Sequence, residues 1–161
     1  MAFILIQTLR FKFTAHPDSV YIFETIGLEP IGRIGIGILE LLAGVLLLIP
    51  KTVWAGAILT VGLIGGALMM HLTQLGIEVN NDKGILFITA IVTFVLSAIL
   101  VFMYKKDIPM PFINQKEEKF MGIIQGISPI GRLRVLLEDD SVAEFDIKEI
   151  QMMEKLNFLI V

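Results

Sequence analysis

A glutamate in the middle of an apolar run is the first candidate for chemistry in this sequence. Glu40 lies near the centre of residues 31–50, IGRIGIGILELLAGVLLLIP. An ionised carboxylate costs about 3 kcal/mol or more inside a bilayer, so this side chain must face protein. Arg33, Gly37, Glu40 and Gly44 fall at i, i+4, i+7 and i+11, and form one helical stripe. Because glycines let a neighbouring helix approach closely, we expect this stripe to face the rest of a helical bundle.

Two roles are open for Glu40. It is either a carboxylate that accepts a proton or binds a ligand, or a protonated side chain that hydrogen-bonds a neighbouring hydroxyl and holds two helices together.

Two histidines accompany this stripe. His71 lies near the end of residues 53–72, and a turn at residues 51–52 would bring it to the level of Arg33. His16, Arg33 and His71 then form a polar mouth for an anion or a quinone head group, with imidazole as donor or proton carrier. Alternatively, His71 lies in the lipid head-group region. Two histidines without paired spacing do not predict a metal site, and no residue pattern predicts a catalytic group.

Small and hydroxylated residues mark helix contacts. Gly62 and Gly66 form a GxxxG motif, which predicts tight packing of another helix at that point. Thr89, Thr93 and Ser97 recur at steps of four. We expect these hydroxyls to bond their own i−4 carbonyls or a neighbouring helix rather than a substrate.

The elements that position these residues are predicted to be membrane helices. The chain of 161 residues is 55% hydrophobic, only 18% charged, and has no cysteine, with a mean hydropathy of +0.81. This composition excludes disorder, disulfides and a basic nucleic-acid-binding protein. Residues 31–50, 53–72 and 84–104 each approach the roughly 20 apolar residues that a bilayer requires. We predict three full transmembrane helices.

The N-terminal segment predicts shorter helices. Residues 1–14 begin apolar but reach Arg10 and Lys12 too early to cross a bilayer, which indicates a partial or interfacial helix. Residues 15–30 contain Pro17 and the pair Tyr21 and Phe23, which favours a short amphipathic helix at the interface, with a plain loop as the alternative.

Beyond residue 104 the pattern changes. Residues 105–118 hold two prolines and many charges, which predicts a linker. In 131–138 and 142–148 the apolar residues alternate with period two, Asp139–Asp140 suits a turn between them, and residues 126–131 suit a turn after a strand at 120–125. The pattern predicts a small antiparallel unit of about four strands. The predicted organisation is a membrane helical domain over 1–104, this linker, and a β-unit over 119–161 whose own core is marginal.

The helical part resembles the DoxX-like family of small four-helix membrane proteins. The residues that carry the resemblance are Phe11 to Pro17 (FKFTAHP), Gly35-Ile36-Gly37, Glu40-Leu41, Leu46 to Pro50 (LLLIP), Gly65-Gly66-Ala67 and His71-Leu72. The resemblance implies a membrane subunit or partner of a quinone-linked or redox-stress oxidoreductase complex. Family members have a full first helix, so we expect Met1 to be an internal methionine of a longer protein.

The β-unit is similar to the SH3-like C-terminal barrel of bacterial biotin-protein ligases. Residues 121–128 (MGIIQGIS), Gly131-Arg132-Leu133, Glu138-Asp139-Asp140 and residues 145–150 (FDIKEI) carry this resemblance. The ligase's catalytic domain is absent, so ligase activity is not implied. Because that family is cytosolic, the resemblance implies a cytosolic C-terminus at a bacterial inner membrane, which charge counting alone does not decide.

Three functions are compatible with these features. The first is the redox-linked membrane subunit, with the lipid bilayer and oxidoreductase subunits as partners, quinone as a possible cofactor and no covalently bound group. The second is a proton-coupled transporter or ligand-binding bundle that uses Glu40 and His71 and forms a homo-oligomer. The third is a membrane anchor for the β-unit. Mixed surface charges without an aromatic platform disfavour nucleic acid as a partner.

Overall fold

The computed structural model describes residues 1–146 and 148–153. The chain divides after Tyr104 into two compact units, a helical unit and a β-unit, each considered separately. The predictions that involve Ile147 and residues 154–161 lie outside the described residues.

The helical unit contains five helices among its described residues. They are α1 (Ala2–Phe13), α2 (Pro17–Thr25), α3 (Ile31–Leu48), α4 (Val53–Met70) and α5 (Ile85–Met103). A 3-10 turn at Pro50–Thr52 joins α3 to α4, and a π-helical turn at His71–Leu75 extends α4.

Three segments of the described chain are long and apolar enough to cross a membrane. They are Ile31–Leu48, Pro50–Leu75 and Ile85–Met103, which confirms the three predicted long helices. The most apolar of them, α5, exposes side chains such as Ile85 and Phe102 over 63% and 70% of their surface. Uncovered apolar faces of this length are expected where lipid, rather than water, is the solvent.

The N-terminal predictions of helix are also confirmed. The segment 1–14 forms α1, and the segment 15–30 contains α2 with Pro17 at its first position, so the loop alternative is wrong over Pro17–Thr25. Pro17 is tolerated there because the first turn of a helix has no partner for its N–H.

Packing in the helical unit follows the pairs α1 with α3, α3 with α4, and α4 with α5. Leu5, Ala43 and Ile64 are buried at the centre, with Leu47 and Phe94 packed around them. α3 and α4 approach closely at Gly56, where an added Cβ would lie 2.8 Å from the Leu47 backbone nitrogen. Glycine is therefore required for α3 and α4 to meet at this distance.

The described residues of the β-unit form a five-stranded antiparallel sheet. Its strands are β1 (Met110–Asn114), β2 (Lys119–Ile127), β3 (Leu133–Leu137), β4 (Val142–Phe145) and β5 (Ile150–Met152), in the order β4-β3-β2-β1-β5. The predicted strands over 120–125, 131–138 and 142–148 correspond to β2, β3 and β4. The last of these ends earlier than predicted because the Glu149 N–H donates to the Asp146 carbonyl in a turn.

This sheet must curl. β4 and β5 lie at opposite edges of the sheet, which would be about 19 Å apart if it were flat. The chain from Phe145 to Ile150 reaches at most about 18 Å. Consistent with curling, the ring of Phe120 in β2 stacks on Phe145 in β4 at 5.7 Å, across the intervening strand, and also on Phe112 in β1 at 5.7 Å.

The structure differs from the sequence prediction at residues 105–118. A linker is expected there, but the segment forms a 3-10 turn at Lys105–Asp107 and then β1, which pairs with both β2 and β5. Phe112 is buried and anchors the strand. The carbonyl of Pro111 accepts the Met153 N–H at 2.9 Å, so Pro111 faces the chain just past the end of β5. Its missing N–H is therefore lost at the end of the β1–β5 ladder rather than inside it, and proline is tolerated there.

Candidate functional site

Glu40 is buried and ion-paired within the helical unit. Its Oε2 atom lies 2.9 Å from Nζ of Lys12 on α1. The hydroxyl of Thr8 lies 3.0 Å from the same oxygen and 2.7 Å from the carbonyl oxygen of Leu5, so these two acceptors share its single proton. Thr8 and Lys12 are one helical turn apart, so they present both donors on one face of α1. The sequence predicted a hydroxyl partner as one alternative for Glu40, but it did not predict the lysine.

Arg33 is bound on two sides. Its Nε donates to Oε1 and Oε2 of Glu29 at 2.9 and 3.0 Å, and its Nη2 lies 2.8 Å from Oε1. Its Nη1 donates to the backbone carbonyl of Lys12. Lys12 therefore joins the two residues that the sequence singled out, since its carbonyl binds Arg33 and its ammonium group binds Glu40.

We call these four side chains the α1–α3 charge group: Lys12, Glu29, Arg33 and Glu40. The group has two positive and two negative side chains, so its formal charges cancel. Buried charges are tolerated in low dielectric when they are paired and hydrogen-bonded in this way. Every buried side-chain nitrogen and oxygen in the described part of the chain has a hydrogen-bond partner.

The glycines of the predicted stripe allow this contact. Arg33, Gly37, Glu40 and Gly44 are all buried, which confirms the stripe as an inward-facing surface. An added Cβ at Gly37 would lie 3.2 Å from the Phe13 ring, and at Gly44 it would lie 3.4 Å from the side chain of Ile6. The partner of the stripe is therefore α1.

His71 is buried at the start of the π-helical turn. Its Nδ1 lies 2.8 Å from the carbonyl oxygen of Gly76. The edge of its ring meets Phe87 on α5, with ring centres 5.5 Å apart. These contacts hold the end of α4 against the loop that follows it and against α5.

That loop is organised by Asp82. Its Oδ1 accepts the N–H groups of Val79 and Gly84 at 2.9 Å each, and its Oδ2 accepts that of Leu86 at 2.8 Å. Burial opposes ionisation of Asp82, but these amides, with a smaller electrostatic contribution from His71, hold the pKa of Asp82 below its usual value. Asp82 thus caps α5, a role that the sequence reading missed although an acidic residue just before an apolar run is its typical signal.

His16 has a local role at the start of α2. Its Nδ1 accepts the N–H of Asp18 at 3.4 Å as the helix cap, and its ring meets Phe11 at 4.7 Å. Asp18 in turn accepts a hydrogen bond of 3.0 Å from the side chain of Asn80, in the loop that follows His71. The structure thus brings Arg33 and Glu40 together through Lys12, while His16 and His71 have separate partners of their own.

The close contact predicted at the GxxxG motif is not made by any described residue of this chain. Gly62 and Gly66 are exposed, and an added Cβ at either would meet nothing within 4 Å. The close contacts of α4 are instead made by Gly56 and by Gly65, where an added Cβ would lie 3.4 Å from Phe94. The motif lies on a face of α4 that no other described element covers.

The hydroxyl prediction for α5 is confirmed. Thr89, Thr93 and Ser97 donate to the carbonyls of Ile85, Thr89 and Thr93 at 2.8, 2.8 and 2.9 Å. These hydroxyls are satisfied within their own helix.

Among residues 1–146 and 148–153, no three histidine, aspartate or glutamate side chains converge as a metal site. No protein-family model, curated protein or solved structure matches the chain.

Proposed function

We propose that this chain is a small integral membrane protein that works as a non-catalytic membrane subunit. Its apolar helices lie in the bilayer, and its β-unit lies outside. The observation that supports this proposal is the α1–α3 charge group, whose ionic side chains are matched within the chain. A buried polar network in which every group is hydrogen-bonded makes helix packing rigid and unique. A subunit that holds other proteins in place requires such packing.

The particular form we propose is a partner subunit of a quinone-linked or redox-stress oxidoreductase in a bacterial inner membrane, with the C-terminal unit cytosolic. The resemblance of residues 11–104 to the DoxX-like family supports this form. The resemblance of the β-unit to the SH3-like barrel of biotin-protein ligases, together with its five-strand order, supports a cytosolic barrel.

The residues predicted for a quinone head group do not fit that role. Arg33 directs its donors to Glu29 and to the Lys12 carbonyl, and Nδ1 of His71 faces Gly76. Only His16 has an exposed ring, with 42% of its side chain accessible. We therefore assign any quinone of the complex to a partner subunit.

The test is affinity purification of the full chain from membranes in mild detergent, followed by mass spectrometry of copurifying proteins and assay of extracted quinone. The matched variant is Lys12→Met/Glu40→Gln, which removes both charges of one pair and leaves no unpaired buried ion. Recovery of an oxidoreductase with both proteins supports the redox-subunit form. A homo-oligomer without oxidoreductase or quinone contradicts it.

A second candidate function is proton-coupled transport, which the ion pair between Lys12 and Glu40 favours. Ionisable residues inside a membrane frequently mark proton or ion pathways. In proteoliposomes with an internal pH dye, this function predicts proton uptake that the Lys12→Met/Glu40→Gln variant abolishes. Equal uptake by both proteins and by empty vesicles would contradict transport while leaving the subunit function intact.

A further inference from the structure

The loop between β2 and β3 presents two isoleucines to the outside. Ile127 and Ile130 are exposed over 73% and 74% of their surface. Residues 126–131, GISPIG, contain no charge. Exposed apolar side chains without neighbouring charge, on a loop tip of a small domain, mark an interaction surface.

The backbone of this loop is fixed rather than open. Ser128 is buried; its N–H donates to the Arg132 carbonyl at 2.8 Å, and its hydroxyl accepts the Arg132 N–H at 3.1 Å. The Gly131 N–H donates to the Ser128 carbonyl at 2.9 Å. The isoleucines are therefore held outward at little further entropic cost on binding.

The loop lies at the end of the sheet where the chain enters. Met110, the first residue of β1, pairs with Gly122 in β2. Because the two strands are antiparallel, β2 then continues past the start of β1, for about 17 Å, to Ile127. The 3-10 turn Lys105–Asp107, which precedes β1, packs against β2. The loop and the entering chain thus share one end of the β-unit.

The entering chain comes directly from a membrane-length helix. α5 ends at Met103, and the segment from Met103 to Met110 reaches at most about 25 Å when fully extended. The opposite end of the sheet carries the charged hairpin 115–119, QKEEK. The loop tip 126–131 is therefore uncharged and shares its end of the β-unit with the chain that comes from a span, whereas the hairpin at the opposite end is charged.

We propose that the loop 126–131 is a membrane-contact loop, and that Ile127 and Ile130 insert into the lipid interface. Arg132 is exposed directly after the loop, where its guanidinium reaches lipid phosphates while the isoleucines bury apolar surface. This inference rests on the membrane location of α3 to α5 in the proposed function.

The test uses single cysteines in the full chain, which has none of its own. Ile130→Cys carries an environment-sensitive fluorophore in nanodiscs of phosphatidylcholine that contain a lipid with a nitroxide quencher near the head group. We expect several-fold stronger quenching at this site than at Lys116→Cys on the opposite hairpin. Adding Ile127→Asp to Ile130→Cys should reduce the quenching to the level of Lys116→Cys.

Two comparisons separate the possible failures. Val95→Cys, on α5 with 49% of its side chain exposed, reports whether the helix itself faces lipid. Quenching at Val95→Cys but not at Ile130→Cys overturns the loop proposal alone, whereas no quenching at either site overturns the membrane location as well. A label at Ile130→Cys that is immobile but not quenched indicates a protein partner instead and also overturns the proposal. Nanodiscs with added phosphatidylglycerol should strengthen the quenching if Arg132 binds phosphates.

Discussion

At the scale of single residues, Lys12 determines what Glu40 can do. A solitary carboxylate in the middle of α3 would need either a proton or a ligand to compensate its burial. With Nζ of Lys12 at 2.9 Å and the Thr8 hydroxyl at 3.0 Å, the carboxylate is compensated by the protein itself. Removing one partner of such a pair lowers stability strongly, because it leaves an uncompensated buried ion. Removing both partners lowers stability little.

This asymmetry gives a quantitative prediction. We expect Glu40→Gln alone to destabilise the helical unit by about 3 kcal/mol, since it leaves the Lys12 ammonium group facing a neutral amide in low dielectric. The double variant Lys12→Met/Glu40→Gln should recover most of that loss. Thermal unfolding in detergent, followed by circular dichroism, measures both. A double variant no more stable than Glu40→Gln would show that the pair does not act as a unit.

The sequence indicated some of these residues and not others. The stripe of Arg33, Gly37, Glu40 and Gly44 followed from helical spacing and is buried as predicted. Lys12 was interpreted as a charge that ends a short apolar segment, because a single sequence shows spacing within a helix but not which helices pack together. A spacing of four between Thr8 and Lys12, and between Glu29 and Arg33, was the available signal.

At the scale of elements, glycines on α4 have unequal importance. Gly56 lies against the backbone of α3. A Cβ added at Gly56 would lie 2.8 Å from the Leu47 backbone nitrogen and 3.0 Å from the Ala43 carbonyl oxygen, and these backbone atoms cannot move independently of the helix. Gly62 has nothing within 4 Å. The spacing of glycines alone does not distinguish these two situations, which is why the GxxxG motif was assigned to packing.

We therefore predict opposite outcomes for two similar substitutions. Gly56→Ala should lower stability by about 1–3 kcal/mol, because α3 and α4 must separate to admit the methyl group. Gly62→Ala should leave stability unchanged or raise it by up to about 1 kcal/mol, through the higher helix propensity of alanine. Unfolding midpoints of the two variants, measured in the same detergent, test this prediction. Equal losses of stability in both variants would contradict the contact at Gly56.

The loop between α4 and α5 makes a pH-dependent contribution. The pKa of Asp82 is lowered in the folded protein, despite its burial, by the three amides that donate to it. A carboxyl group with a lowered folded pKa stabilises the protein above its unfolded pKa, about 3.9 for aspartate, and this stabilisation is lost as the pH falls through the folded value.

The corresponding prediction concerns Asp82→Asn. The stability advantage of the unmodified protein over this variant should be constant from neutral pH to about pH 5 and shrink below about pH 4. Unfolding midpoints measured across this range test it, with the exposed Glu24→Gln as the matched control for loss of a negative charge. An advantage that grows on acidification would contradict the role of Asp82 as the cap of α5.

At the scale of the whole molecule, the change in composition after residue 104 corresponds to a change of architecture. Hydropathy and length were sufficient to predict the three long helices, period two was sufficient for β3 and β4, and β2 was placed by the turn that follows it. β1 was missed because Pro111 within it, Pro109 just before it and the surrounding charges are typical of linkers. The burial of β1 depends on its pairing with β5. The residues of β5 lie far along the chain from β1, so a local sequence pattern does not reveal this pairing.

The β-unit has a core of its own, which leads to a prediction. Phe112 and Val135 are exposed over only 1% and 0% of their surface, and Phe120 and Phe145 stack beside them. We expect residues 105–161, expressed alone, to give dispersed amide resonances in a proton–nitrogen NMR spectrum. Val135→Asp should collapse that dispersion, because it places an unpaired charge in the core. A collapsed spectrum for the unmodified fragment would contradict an autonomous unit.

The contact between α1 and α3 also bears on how the protein enters the bilayer during synthesis. Lys12 reaches the translocon before Glu40, and each charge alone opposes partitioning into lipid by about 3 kcal/mol. Released together, with ammonium and carboxylate already joined, the two helices carry these two charges as a neutral pair. Biogenesis is thus expected to proceed by insertion of α1 and α3 as a hairpin rather than one helix at a time, with α4 and α5 following.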